Sequence, residues 1–228
     1  MTETFQRRFP QSYSRCRDTE SAIRELLAEG YTQKFDIIGS FWSLNYPLLE
    51  CFEITTPQGV IANDDHESGR QRAEDLINGL IGLLSPGGSL ILLFFDATTT
   101  EQRLVTRLWE RIAPFPGTGR DYTWRLLEHG LLEAEAHGSG TFWHAREPGV
   151  AVVEDRKAAQ DWFLTGHLNS HPQLRNDPEV QQAIDEFIRH HTHPDQRVFI
   201  PSAVHVVHFQ ASSSLRRHLP TDGTGQQC

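Results

Sequence analysis

The chain has 228 residues, of which 38% are hydrophobic and 22% charged, with a formal net charge of -9 and a mean hydropathy of -0.46. These values suit one soluble globular core with a small appended segment and exclude the disordered and membrane classes. The acidic balance and the lack of a clustered basic face argue against a nucleic-acid partner.

No apolar run approaches the roughly 20 residues that span a bilayer, and the polar start MTETFQRRFPQ has no signal-peptide apolar region, so a cytoplasmic protein with no membrane partner is expected. Cys16, Cys51 and Cys228 are an odd number at no metal-ligand spacing and read as two packing residues and a tail thiol.

In chain order, QSYSRC reads as a short strand and DTESAIRELLAEG as a helix with Ile23, Leu26 and Leu27 on one face and Gly30 as its stop. FDIIGSF follows as a continuous apolar strand, expected to be covered by helices on both faces. A polar loop is expected through NDDHESGRQ, then a helix over Asp75 to Leu84, a turn at SPGG, and the most apolar strand, SLILLFFDA. TEQRLVTRLWERI is an amphipathic helix on Leu104, Val105, Leu108 and Ile112, ended by APFPGTG. Strands alternating with helices predict a parallel, doubly wound sheet.

The last third is helical in RKAAQDWFLTGHL and in DPEVQQAIDEFIRHH, where Asp177 is the expected cap and Pro178 opens the first turn. These form a helical lid segment over 156–193 within a domain of 1–212. RVFIPSAVHVVHFQA returns to strand, and 213–228 is read as a flexible tail.

In an open α/β sheet, ligands sit beyond the carboxyl ends of the central strands, which here places a site at Gly39 to Tyr46 and Asp96 to Thr99. The order FDIIGSFWSLNYPL, helix, LLSPGGSLILLFFDA, helix resembles the fourth and fifth strand units of class I S-adenosylmethionine-dependent methyltransferases. The resemblance runs from Phe9 to Ile112, with VFIPSAVHVVHFQA matching the final antiparallel strand. It implies a Rossmann-like doubly wound fold that lacks its N-terminal unit, since no glycine-rich cofactor loop and no ribose-holding acid precede FDIIGSF.

The resemblance further implies S-adenosylmethionine as cofactor, bound weakly or not at all by this chain, and a small-molecule methyl acceptor. Asp18 falls where the family places an acid near the adenine, although an N-cap role, worth about 1 kcal/mol, explains it as well. Ser40, Phe41 and Trp42 fall at the methionine end of the cofactor, with ordinary aromatic packing as the alternative. Asn45, Tyr46 and Asp96 are candidates to orient the acceptor, and loop capping would suit them equally. No catalytic residue is named, and oligomerisation is left open.

Weaker signals point nowhere. PGTGRDY follows a helix, so its G-x-G fails the dinucleotide-binding context and reads as a flexible loop. His190, His191, His193, His205 and His208 show no metal-ligand spacing. A non-catalytic relative of the methyltransferases, acting as a partner or scaffold subunit, is the alternative function.

Overall fold

The computed structural model describes residues 17–56, 59–63, 65–112, 119–169 and 171–213. The expected strand QSYSRC, Cys16, Cys228 and the tail beyond 213 lie outside them. The described elements are α1 (Thr19–Ala28), β1 (Phe35–Phe41), α2 (Asn45–Glu50), β2 (Glu53–Thr56), β3 (Gly59–Ala62), α3 (His66–Leu83), β4 (Leu84–Phe95) and α4 (Thr100–Trp109). A short 3-10 turn (Gly119–Asp121), α5 (Tyr122–Ala136), β5 (Gly140–Val153), α6 (Arg156–Asp161), a π-helical turn (Trp162–His167), α7 (Pro172–Arg175), α8 (Pro178–His191) and β6 (Val198–Ala211) follow.

Among the described residues the main sheet has four strands in the order β1-β4-β6-β5, and a separate antiparallel pair joins β2 to β3. β1 and β4 are parallel, whereas β6 is antiparallel to both β4 and β5. The fold is therefore α/β with a mixed sheet, in which β5 is a further antiparallel strand beyond the one expected. The parallel neighbours and the antiparallel final strand are the parts the sequence anticipated.

Helices cover the sheet on both faces, but at different ends. Leu90, Leu92 and Phe94 of β4 stand on the same face as Val207 and Phe209 of β6, fully buried against α3 and α5. Nearer its start β6 buries the opposite face, with Val198 and Ile200 packed under α4, α6 and α8. Because alternate residues of a strand point to opposite faces, this change of parity along one uninterrupted strand makes two separate cores.

Among the described residues the diagonal arrangement leaves one face of β1 open. There β1 is an edge strand whose Ile37 and Phe41 are 68% and 58% exposed, so no described helix covers that face, against the expectation of helices on both. Ile38 and Ser40 occupy its covered face, paired with Leu90 and Leu92.

Three boundaries move. The polar stretch NDDHESGRQ is mostly helix, because Asp65 caps α3 by accepting from the Ser68 amide at 3.0 Å. SPGG lies inside β4 as an irregularity, with Gly87 at φ +79° and the register slipping between Phe35 and Ile37. RKAAQDWFLTGHL divides into α6 and the π-helical turn. Cys51 is buried, as read, and burial pushes its thiol up to about 11.

Candidate functional site

A cavity of about 490 Å³ opens where β1 and β4 end. Its walls come from Trp42 beyond β1, Asn45 and Tyr46 of α2, Phe95 at the end of β4, Glu101 and Gln102 in the first turn of α4, and Arg120 of the 3-10 turn. The middle of β5 from Glu147 to Ala151, the middle of β6 from Ser202 to Val204, and Trp162 and His167 of the π-helical turn close it. The helical segment between β5 and β6 thus contributes two rings to the site.

A connected set of polar groups runs along one wall. Oε1 of Glu101 accepts from Nε1 of Trp162 at 2.6 Å and lies 2.7 Å from Nε2 of His167, while Oε2 accepts from Nε2 of Gln102 at 3.2 Å. Oε1 of Gln102 in turn accepts from a terminal nitrogen of Arg120 at 2.8 Å. The Gln102 amide therefore stands between a buried cation and a buried anion, its orientation set by both.

Local geometry explains the convergence. Residues five apart on an α-helix point about 140° away from each other, but a turn closed by i→i+5 bonds brings them toward one side. Trp162 and His167 can then reach a single carboxylate oxygen. The turn is pinned from outside by Nε1 of Trp109, which donates to the His167 carbonyl at 3.2 Å.

Electrostatically, burial pushes the Glu101 carboxyl up, but the His167 and Trp162 hydrogen bonds outweigh it and hold the group below the usual carboxylate range. Glu101 is 2% exposed and ionised. An ionised carboxylate can only accept from Nε2 of His167, so that nitrogen carries a proton and Nδ1 is the ring atom left for other partners. Burial pulls the Arg120 guanidinium down to about 10 and pushes the neighbouring Glu53 carboxyl up to about 7.

Of the residues singled out from the sequence, Trp42, Asn45 and Tyr46 line the cavity. Trp42 holds a left-handed backbone at φ +60°, a conformation that bulky side chains rarely adopt. Ser40 bonds Ser43 through their hydroxyls at 2.8 Å, and Phe41 lies on the open face of β1. Asp18 caps α1, its Oδ1 accepting from the Ser21 amide at 2.8 Å.

Asp96 is 1% exposed, and its oxygens accept from the Thr98 amide and hydroxyl and from Nε of Arg146. Those bonds hold its carboxyl below the usual range against the effect of burial. His190 and His191 bond the carbonyls of Glu186 and Phe187 at the end of α8. His205 stacks on Trp124 at 3.9 Å and lies 2.9 Å from His144.

Glu101, Arg120, Trp162 and His167 were not foreseen. One signal was available for the first: Glu101 shares the apolar helical stripe of Leu104 and Leu108, where an acid must be paired. Arg120 sits in what read as a flexible loop.

No family model matches the sequence, and no curated protein matches it. Among solved structures, the chain is similar to a Bacillus halodurans protein with a provisional methyltransferase assignment, at TM-score 0.38 and 10% identity over 79% of this chain and 71% of that one. It is also similar to the YcgJ protein from Bacillus subtilis, at TM-score 0.38 and 10% identity over 80% and 66%. A third likeness is to the MccD protein, at TM-score 0.34 and 11% identity over 85% and 73%. With TM-scores below 0.5 these likenesses decide neither fold nor activity.

Proposed function

We propose that the chain is a methyltransferase acting on a small molecule, with the cavity at the ends of β1 and β4 as the acceptor site. The observation that carries this reading is the position of that cavity: it lies beyond the carboxyl ends of the two parallel strands, where open α/β sheets bind ligands, and its wall holds an imidazole oriented by a buried carboxylate.

S-adenosylmethionine is the methyl donor that the resemblance implies. The described residues do not form its backbone cradle, since the glycines with positive φ, Gly30, Gly87 and Gly138, lie away from the carboxyl ends of β1 and β4. The chemistry assigned to this chain is therefore that of the acceptor side. Trp42, Trp162 and Phe95 offer an apolar enclosure, and Nδ1 of His167 takes the proton that an acceptor hydroxyl or amine gives up.

Incubation with methyl-labelled S-adenosylmethionine and a set of small hydroxylated and amino acceptors tests the proposal, with mass spectrometry to find label in a small molecule. Label that disappears in His167→Ala and stays in a surface variant such as Arg24→Ala supports it. No transfer to any acceptor would count against it.

One observation favours a second reading. Ile37 and Phe41 are exposed on a strand that is an edge among the described residues, and such a surface suits a partner or scaffold subunit. A stable complex isolated with the native chain, in the absence of transfer, would make that reading the better one.

A further inference from the structure

We infer that the acceptor carries a single carboxylate, recognised by the guanidinium of Arg120. The inference deepens the reading of the cavity as an acceptor site and rests on it. Arg120 is 5% exposed and lines the cavity. Among the described residues its guanidinium donates one hydrogen bond, to Gln102, and its Nε is buried with no partner. Among the described residues it forms no salt bridge.

What holds the group is aromatic. The guanidinium carbon lies 4.9 Å from the centroid of Phe95 and 4.6 Å from that of Trp109. Such contacts fix the plane of the fork without neutralising its charge. Glu53 and Glu101 act on this charge only from beyond ion-pair distance, so an anionic ligand that bonds the guanidinium directly relieves part of the cost of burying it. Desolvation and fixed orientation also strengthen its hydrogen bonds to a carboxylate.

A monoanion suits the cavity better than a dianion. Glu101 and Glu147 line the same space, and each repels additional negative charge. The aromatic rings Trp42 and Trp162 provide apolar surface for the remainder of the molecule.

Benzoate, phenylacetate, 4-hydroxybenzoate and butyrate, each beside its amide, can be titrated by calorimetry into the full chain without S-adenosylmethionine. At least one carboxylate should bind about tenfold or more tightly than its amide. Arg120→Met should abolish the preference and raise Tm, because the strained charge is gone. Should the Met variant fail to fold, Arg120→Lys reads the same ratio and should reduce it, since an ammonium lacks the planar fork.

Equal binding of acid and amide by the wild type would overturn the inference, as would a preference that survives Arg120→Met. Tighter binding of phenyl phosphate than of every carboxylate would overturn the choice of a monoanion. Methyl transfer to a neutral acceptor with no carboxylate preference sinks this inference and leaves the methyltransferase reading standing. A carboxylate preference without transfer does the reverse.

Discussion

Nε2 of His167 lies 2.7 Å from Oε1 of Glu101, and the two side chains come from elements 66 residues apart in sequence. Glu101 starts α4, where an acid also meets the positive end of the helix dipole, and His167 ends the π-helical turn. Truncating Glu101 to Ala removes the acceptor from the part-buried donors on Trp162 and His167. The expected loss is about 1–2 kcal/mol, measured by urea unfolding. Glu101→Gln keeps an acceptor oxygen, so it should be milder in stability. Its effect should show instead as a methyl-transfer rate reduced by about tenfold or more, because a neutral amide no longer balances the charge the His167 ring gains with a proton.

The His205 imidazole makes stability depend on pH. Burial pulls it from 6.5 down to about 4, with Asp96 opposing that shift and His144 adding to it. The unfolded chain therefore binds a proton near 6.5 that the folded chain takes up only near 4. Between those values the unfolded state holds more protons, so stability rises with pH through the window and levels off above it. At about 1.4 kcal/mol per unit the loss on acidification is up to about 3 kcal/mol. His205→Phe keeps a ring on Trp124 and should flatten this part of the curve in denaturant titrations. An unchanged slope would assign the acid sensitivity to other groups.

Two glycines of α3 should respond to Ala with opposite signs. A Cβ on Gly69 would lie 2.7 Å from the Cys51 carbonyl oxygen and 2.8 Å from the Phe52 ring, whereas one on Gly82 meets nothing within 4 Å. Gly82→Ala should stabilise by about 0.5–1 kcal/mol through helix propensity. Gly69→Ala should destabilise by about 1–3 kcal/mol, because backbone cannot withdraw. Thermal melts of the pair check both signs at once.

Trp42 is 48% exposed in the cavity wall. Trp42→Ala should leave Tm nearly unchanged, in contrast to the 3–5 kcal/mol typical of a buried aromatic. It should weaken binding of any aromatic probe that the wild type accepts. A large fall in Tm would return Trp42 to a packing role.

Calorimetry with S-adenosylmethionine should show no saturable binding in the micromolar range, because the described residues provide no backbone cradle for it. A micromolar Kd for the chain would mean that other groups hold the cofactor.

The local pattern of residues was enough to place β1, β4, β6, α1, α4 and α8, since each carries its own periodicity and, for α8, an Asp177 cap with Pro178 behind it. It also pointed to the strand ends where Trp42, Asn45 and Tyr46 line the cavity, because the ends of adjacent parallel strands are defined as soon as the strands are. It did not show β5, which runs through Arg146, Glu147, Pro148 and Gly149 and is held in place by pairing with β6 along its whole length, and it missed α5 although Trp124, Leu127, Leu131 and Ala134 follow helical spacing there. Nor could it show that β6 changes its buried face midway, which depends on where two groups of helices settle.

Most of the site's chemistry was likewise decided by tertiary structure. Glu101, Gln102, Arg120, Trp162 and His167 come from three separate segments, and no spacing in the chain relates them. Periodicity reports which side of an element is apolar, a property of neighbours within a few turns. Pairing a carboxylate with an imidazole 66 residues away depends instead on the angle at which a π-helical turn packs over the first turn of α4, and only the folded core sets that angle.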